Sequence, residues 1–244
     1  MRKEPTSPSP LGLTAAGITT VIFSLHNIGL YPLDSMTLAT CVFCGGLAQM
    51  IAGVMEFRKT NTFAATAYTL YGAFWLTMVA LLVSSRMDWQ PPNTVAVGWH
   101  MILWGVFSAF MCVGARFHNI VLQFVLGGFS ALFFLSALGE FTGIVLADIV
   151  AGAIGVVAGA GAIYLAMARL LNEEYGRVVL HIGKQSVDTG HEDETHVRAL
   201  KRRLEKKMIE VEVLSEALQE LQSKESGPAR VAAQTKPFAP SRLS

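Results

Sequence analysis

Residues 7–30, SPSPLGLTAAGITTVIFSLHNIGL, decide how the rest of the chain folds. After the two prolines, about twenty mostly apolar residues follow without a charged side chain, which is the length a helix needs to cross a bilayer's hydrocarbon core. Ser9 is a favourable residue type for a helix N-cap, and Pro10 suits the first turn, where a missing N–H costs little. The sequence therefore predicts a membrane-spanning helix that begins near Ser9.

One face of this predicted helix carries small and polar side chains at spacings of three and four residues. Polar groups are costly in contact with lipid, so this face is expected to meet protein or water. Two interpretations follow, the wall of a pore or close helix packing through small residues. The free amides at the helix start also favour anions. The face comprises Leu13, Ala16, Gly17, Thr20, Ser24 and Asn27.

The composition of the 244-residue chain indicates a polytopic membrane protein. Hydrophobic residues make up 52% of it and charged residues 15%, and the mean hydropathy is +0.45. The net charge is +1 and the basic residues are divided among tails and loops, so a nucleic-acid partner is not supported. Residues 1–10 lack the apolar region and cleavage site of a signal peptide.

Three cysteines, Cys41, Cys44 and Cys112, lie in apolar stretches. The first two have CxxC spacing, but no His or Cys pair with ligand spacing accompanies them in the sequence. We therefore predict small buried core residues, and neither a metal site nor a cofactor.

Charged and turn-forming residues divide the apolar part of the chain into six segments. An even number of spans places both tails on one side, and most loop Lys and Arg residues fall on that side. The positive-inside rule then predicts cytoplasmic termini. We predict an all-α integral membrane protein in the cell membrane, a six-transmembrane-helix bundle over residues 11–171 preceded by a tail of residues 1–10. The segments are residues 11–30, 36–56, 64–84, 95–115, 119–139 and 144–171.

Several polar or aromatic side chains in these segments are candidates for function. An unpaired amide at the depth of Gln49 is costly, so this residue is expected to contact either substrate or a neighbouring helix. Glu56 lies beside Arg58 and Lys59, which favours a boundary residue with local ion partners over a proton carrier. Tyr71 is too deep for an interfacial anchor, which leaves a constriction or a hydrogen-bonded core residue. The predicted pore-lining polar residues are Thr20, Ser24, Asn27, Gln49 and Gln123.

No Asp, Glu, Lys or Arg lies in the interior of the six predicted spans. Pumps that relay ions usually place ionisable groups inside the membrane. A pathway lined by hydroxyls, amides, aromatics and backbone offers no fixed charge. We therefore predict weak affinity, with selection of small polar solutes or anions by size and by the loss of their hydration.

The sequence changes character after residue 171. Residues 172–196 are predicted to be a polar linker. Residues 197–224 carry apolar side chains at successive a and d positions over nearly four heptads, with Lys207 at a core position. This pattern favours a short cytoplasmic coiled coil over a lone solvated helix. Residues 225–244 are predicted to be disordered.

On several motifs the chain resembles the acetate uptake transporter family, whose bacterial members are called succinate/acetate permeases. The resemblance runs from about Ser7 to Gly183. One motif is the N-terminal P-x-P-L-G-L element of Pro8, Pro10, Leu11, Gly12 and Leu13, which the family places at the pathway entrance. The others are LHNIG (25–29), GG-x-AQ-x-x-AG-x-x-E (45–56), NTF (61–63), YG-x-FW (71–75), LWGVF (103–107), LQF (122–124), AIYLA (162–166), LNE (171–173) and YGR (175–177).

The resemblance implies six-helix protomers assembled as hexamers, each with its own pathway for acetate and related small monocarboxylates, and sometimes succinate. It implies no prosthetic group. It places the constriction at Ala16, Tyr71 and Phe129, where the family often has Phe at the first position and Leu at the third. A fourth position, linked to substrate range, falls on Ala162. Proton-coupled symport and an anion channel both stay open.

Three functional hypotheses follow from the sequence. The first is a carboxylate permease or channel, in which acetate loses water at the constriction and is stabilised by Thr20, Asn27 and Gln49. The second is a membrane sensor or scaffold that signals through the C-terminal coiled coil. An enzyme is the least supported, because the chain shows no nucleophile with a base, no metal-ligand cluster and no paired carboxylates at working spacing.

Overall fold

The protein is described by a computed structural model that covers residues 7–84, 87, 92–183 and 203–222. Six of its helices are long and apolar enough to cross a membrane, which confirms the predicted all-α bundle of six spans. The observed bounds differ from the predicted ones by only a few residues. The helices are α1 (Ser9–Asn27), α2 (Ser35–Arg58), α3 (Thr62–Ser84), α4 (Thr94–Phe117), α5 (Ile120–Thr142) and α6 (Val145–Glu174).

Short polar side chains begin four of these helices. The side-chain oxygen of Asp34 accepts a hydrogen bond from the Thr37 amide, and Asn61, Asn93 and Asn119 do the same at the starts of α3, α4 and α5. Each bond satisfies one amide that the helix itself leaves unpaired. These caps fix where the spans begin after short loops.

The start of α1 differs from the prediction. Pro8 occupies the N-cap position and no side chain caps the helix. The Ser9 hydroxyl donates instead to Glu56 Oε1, over 2.6 Å. The prediction of Ser9 as an N-cap is therefore wrong, because a buried carboxylate from α2 competes for its hydroxyl.

The middle of α2 is a π-helix over Cys41–Ala48, between α-helical Ser35–Thr40 and Gln49–Arg58. A π-helix is wider than an α-helix, and such segments occur often at functional sites. Gly45 and Gly46 in this segment face α3 so closely that an added methyl group would lie 2.7 Å from Trp75 Cγ and 2.4 Å from Leu76 Cδ2, respectively. The π-helix therefore packs tightly against α3, and Gln49 follows directly after it.

Helix α1 packs against α6 through glycines. A methyl group added at Gly17 would lie 2.7 Å from the Gly159 carbonyl oxygen, and one added at Gly155 would overlap the Ser24 hydroxyl. Small residues let helices approach this closely where no hydrophobic effect drives them together. Part of the predicted polar face of α1 therefore serves helix packing, as one of its two interpretations proposed.

Side-chain and backbone hydrogen bonds hold the segment that follows α6. Helix α6 continues to Glu174, and the Asn172 side chain accepts from the amides of Val179 and Leu180 and donates to the Leu180 carbonyl. The Ile120 amide donates to the Gly183 carbonyl. Residues 172–174 thus belong to α6 instead of the predicted linker, whereas residues 175–183 form turns and irregular backbone held by the Asn172 side chain.

The chain divides into two compact units, and the second comprises residues 188–244. Within it, residues 203–222 are helical and every one of them is exposed. Six predicted heptad positions lie on this helix, whereas Val197 and Leu200 lie outside the described residues. Residues 184–196 of the predicted linker and residues 225–244, predicted to be disordered, also lie outside the described residues. The coiled coil stays a prediction, with its described core positions at Leu204, Lys207, Val211, Leu214, Leu218 and Leu221.

Candidate functional site

Two adjoining cavities lie inside the six-helix bundle. We call the one beside the starts of α1 and α3 the proximal cavity, and the one beside the end of α1 the distal cavity. Each has a volume of about 50 Å³, enough for roughly four water molecules. The distal cavity is lined by Thr20, Ser24, Asn27, Phe74 and Phe133 among others, and the proximal one by Ser9, Asn61, Tyr68, His118, Ala162 and Arg169 among others.

Four residues line both cavities, and together we call them the junction: Ala16, Gln49, Tyr71 and Phe129. The rings of Tyr71 and Phe129 meet edge to face, with their centroids 5.7 Å apart. Ala16 contributes only a methyl group from α1. The structure thus brings together the three positions that the family resemblance placed at a constriction, and adds Gln49 to them.

The Tyr71 hydroxyl does not serve as a free group in the junction. It forms a 2.8 Å hydrogen bond with Ser108 Oγ of α4, while its ring packs against Phe107 with centroids 5.3 Å apart. Tyr71 is therefore a hydrogen-bonded core residue whose ring also lines the junction, and its role as a constriction stays a prediction. Ser108 is fully buried. The sequence offered only a lone serine in an apolar span as a signal for this role.

Gln49 is the unusual residue of the junction. It has no exposed surface, and among the described residues neither its amide nitrogen nor its amide oxygen has a hydrogen-bond partner. A buried polar group left in this state destabilises a fold by about 1–3 kcal/mol. Of the two sequence interpretations, contact with a neighbouring helix thus involves no described hydrogen bond from this amide, and contact with substrate stays a prediction. The amide is available to a solute that occupies the junction.

The polar residues predicted to line a pore divide by position. Thr20, Ser24 and Asn27 line the distal cavity, as the first interpretation of the α1 face proposed. Gln123 lines neither cavity. The α5 face toward the proximal cavity carries Leu122, and the next residue along a helix points about 100° away. The structure therefore does not bring Gln123 together with the other predicted residues, and its pore-lining role stays a prediction.

The N-terminal P-x-P-L-G-L element lies beside the proximal cavity. Leu13 lines it, and a methyl group added at Gly12 would lie 2.8 Å from the Tyr68 ring. Pro8 and Pro10 are buried, whereas Leu11 is 45% exposed. The glycine thus lets a tyrosine pack against α1 at the mouth of this cavity. Ala162, the predicted substrate-range position, is fully buried and lines the same cavity.

Glu56 is buried, with 2% of its surface exposed. Ser9 Oγ donates to its Oε1, and Asn61 Nδ2 donates to its Oε2 over 3.0 Å. The Tyr68 hydroxyl donates in turn to the Ser9 carbonyl, and the predicted ion partner Arg58 is exposed. Glu56 therefore lies at the end of α2, as the boundary prediction has it, but it is buried where the starts of α1 and α3 meet that end, and its described hydrogen-bond donors are Ser9 and Asn61.

Arg169 of α6 lines the proximal cavity. The sequence predicted a pathway without fixed charge, since this residue lies near the end of its span. That prediction is wrong for the proximal cavity, because the Arg169 side chain faces the same space as Gln49. The described lining of the distal cavity carries no Asp, Glu, Lys or Arg.

Two adjoining cavities, lined largely by apolar side chains and inside six helices long and apolar enough to cross a membrane, define a multi-pass membrane protein. The chain belongs to the GPR1/FUN34/yaaH family, whose model matches residues 2–184. This agrees with the resemblance found in the motifs. The matched region ends before the helix at residues 203–222.

Several relatives are similar over most of this region. The chain is 46% identical over 179 residues to the succinate-acetate/proton symporter SatP of Escherichia coli K12, covering 73% of this chain and 95% of SatP. It is 27% identical over 183 residues to ammonia transport outward protein 2 of Saccharomyces cerevisiae, covering 72% and 65% of the two chains. A solved structure of the bacterial acetate channel SatP aligns with a TM-score of 0.72 at 46% identity, covering 74% of this chain and all of that one.

Proposed function

We propose that this protein is a membrane permease or channel that passes acetate and related small carboxylates, succinate among them, through each protomer. The observation that carries the proposal is the unpartnered amide of Gln49, buried where the two cavities meet. Its N–H₂ can donate to a carboxylate oxygen, and its carbonyl can accept from the hydroxyl of a protonated acid. The family membership and the similarity to SatP support the same substrate class.

The junction explains how a small acid exchanges its hydration for protein contacts. Tyr71 and Phe129 limit the width and exclude water, while the Gln49 amide replaces hydrogen bonds that the solute loses. Thr20, Ser24 and Asn27 are polar groups on the distal side. Because the junction holds no fixed charge, binding there is weak enough for the solute to leave.

The sidedness of the pathway follows from the basic residues. Arg58, Lys59, Arg116 and Arg177 lie on the side of the proximal cavity. By the positive-inside rule this side is cytoplasmic, and so are both termini. The family membership further supports a place in the cell membrane, a hexamer of independent pathways, and transport without a cofactor or an enzymatic activity.

Uptake of labelled acetate tests the proposal. Liposomes that contain the purified protein should accumulate acetate faster than empty liposomes, since the junction lowers the barrier that the lipid core presents to a polar solute. Electrical current with acetate as the charge carrier would identify a channel, and electroneutral uptake driven by a proton gradient would identify a symporter. Uptake no faster than in empty liposomes, at both acidic and neutral pH, contradicts the proposal.

The second candidate function is a membrane sensor or scaffold. It is favoured by the exposed apolar side chains along residues 203–222, which include Leu214 and Leu218 at 59% and 58% exposure. A coiled coil with other copies would cover them. In the same uptake assay, deletion of residues 190–244 separates the two functions. Unchanged uptake supports a permease with an added regulatory helix, whereas signalling retained by a protein that moves no acetate supports the sensor.

A further inference from the structure

A positively charged side chain lines the proximal cavity, whereas the junction carries no charged side chain. Arg169 lines the proximal cavity from α6, and among the described residues its guanidinium forms neither an ion pair nor a hydrogen bond. A guanidinium presents five N–H donors and stays charged. Arg169 is partly exposed, so its charge is only partly removed from water, and such a group favours an anionic partner.

Three other polar side chains of this lining, those of Ser9, Asn61 and Tyr68, already have hydrogen-bond partners in the fold. Ser9 donates its hydroxyl to Glu56, and the Tyr68 hydroxyl donates to the Ser9 carbonyl. Asn61 donates to Glu56 and accepts from the Ala64 amide. Both carboxylate oxygens of Glu56 thus accept from neutral donors, and in the described part of the chain Glu56 forms no ion pair with Arg169.

His118 is the other basic side chain of the lining. Its ring stacks on Phe63 with centroids 4.6 Å apart, which fixes its plane at the cavity wall. Leu13, Leu122 and Leu126 supply apolar surface toward the junction. The described lining thus combines apolar surface with side-chain donors that have no described hydrogen-bond partner, namely the exposed His118, the partly exposed Arg169 and, at the junction, Gln49.

We propose that the proximal cavity is a binding site for the ionised form of a small carboxylate, with Arg169 as its principal ligand. This proposal rests on the proposed function. It adds a second binding position, at which the substrate contacts a charged group instead of a neutral amide. A guanidinium pairs with a carboxylate through two parallel hydrogen bonds, which a neutral amide cannot match. The acid is thus held as an anion beside Arg169 and passes a neutral junction at Gln49.

Equilibrium binding of labelled acetate to the purified full-length protein at neutral pH tests this site. Arg169→Gln should weaken acetate binding about tenfold or more, the effect of losing a charged hydrogen-bond partner. Arg116→Gln is the matched control, because Arg116 is exposed on the same side and lines neither cavity. Its binding should stay within about twofold of the parent.

Two further measurements separate a binding role from a structural one. Acetamide has the shape of acetate without its charge, so its weak competition should change little in Arg169→Gln. Arg169→Lys keeps the charge without the planar fork and should bind acetate with intermediate affinity, which also covers the case in which Arg169→Gln does not fold. Equal acetate affinity in Arg169→Gln and Arg116→Gln, or in Arg169→Lys and the parent, overturns the site. If the parent takes up acetate in liposomes, that result leaves the proposed function intact.

Discussion

Replacing Gln49 with Leu should lower the rate of acetate uptake by about tenfold or more. Leu has a similar volume but removes the one donor and acceptor pair that the junction offers, so acetate would lose its hydration there without replacement. Each hydrogen bond lost without compensation raises the barrier by about 1–3 kcal/mol, which corresponds to roughly 5- to 150-fold in rate. Uptake into liposomes at matched protein content measures the change.

The same variant should be at least as thermally stable as the parent. In the folded protein both amide atoms of Gln49 lack hydrogen-bond partners among the described residues, so Leu removes a penalty and breaks no described hydrogen bond. A gain in stability with a loss of transport is the signature of a polar group kept for a substrate. The control is Gln123→Leu on α5, which lines neither cavity and should keep the parental uptake rate. Parental uptake in Gln49→Leu, or equal losses in both variants, would show that the amide has no role in transport.

Tyr71→Ala should admit larger acids and raise the rate of lactate uptake relative to acetate several-fold. The ring of Tyr71 forms one wall of the junction, where Ala16 already contributes little bulk. Removing it also leaves Ser108 without its partner and opens space against Phe107 and Phe129. A loss of about 3–5 kcal/mol in stability is expected from the cavity. Competition between labelled acetate and lactate measures the selectivity.

Tyr71→Phe is the matched control, because it keeps the ring and removes only the hydroxyl. It should retain the parental ratio of acetate to lactate uptake and lose about 1 kcal/mol from the hydrogen bond to Ser108. Thermal unfolding in detergent, followed for both variants, separates the stability effect from the selectivity effect. If Tyr71→Ala transports the two acids in the parental ratio, the junction does not set substrate size.

Much of the fold could be predicted from the sequence, because membrane spans are specified locally. About twenty apolar residues between charged loops identify each helix, and Asn61, Asn93 and Asn119 precede three of the starts. The π-helix at Cys41–Ala48 could not be predicted. Its residues are apolar on all sides, so no period in the sequence distinguishes it from an α-helix.

The site could be predicted only in part. The spacing of small and polar residues placed Thr20 and Asn27 on one helix face, and the family resemblance placed Tyr71 and Phe129 at a constriction. Gln123 is also a polar amide in an apolar span, but it lines neither cavity. The directions of the charged side chains could not be predicted for a related reason. Glu56 and Arg169 lie near helix ends, where a sequence cannot show whether a side chain turns toward solvent or into the bundle. Only the packing of other helices against those ends decides this.

In the proposed mechanism acetate crosses the membrane through the junction of the two cavities. Blocking that junction tests this mechanism most directly. Ala16→Cys, in a protein whose three native cysteines are replaced by alanine, would be modified with a methanethiosulfonate reagent and the extent of modification measured by mass spectrometry. Leu11→Cys serves as the control, because Leu11 is 45% exposed and lines neither cavity. We predict that modification of Ala16→Cys reduces acetate uptake to the level of empty liposomes, that reduction of the mixed disulfide restores it, and that modified Leu11→Cys transports normally. Undiminished acetate uptake by fully modified Ala16→Cys protein would contradict this mechanism.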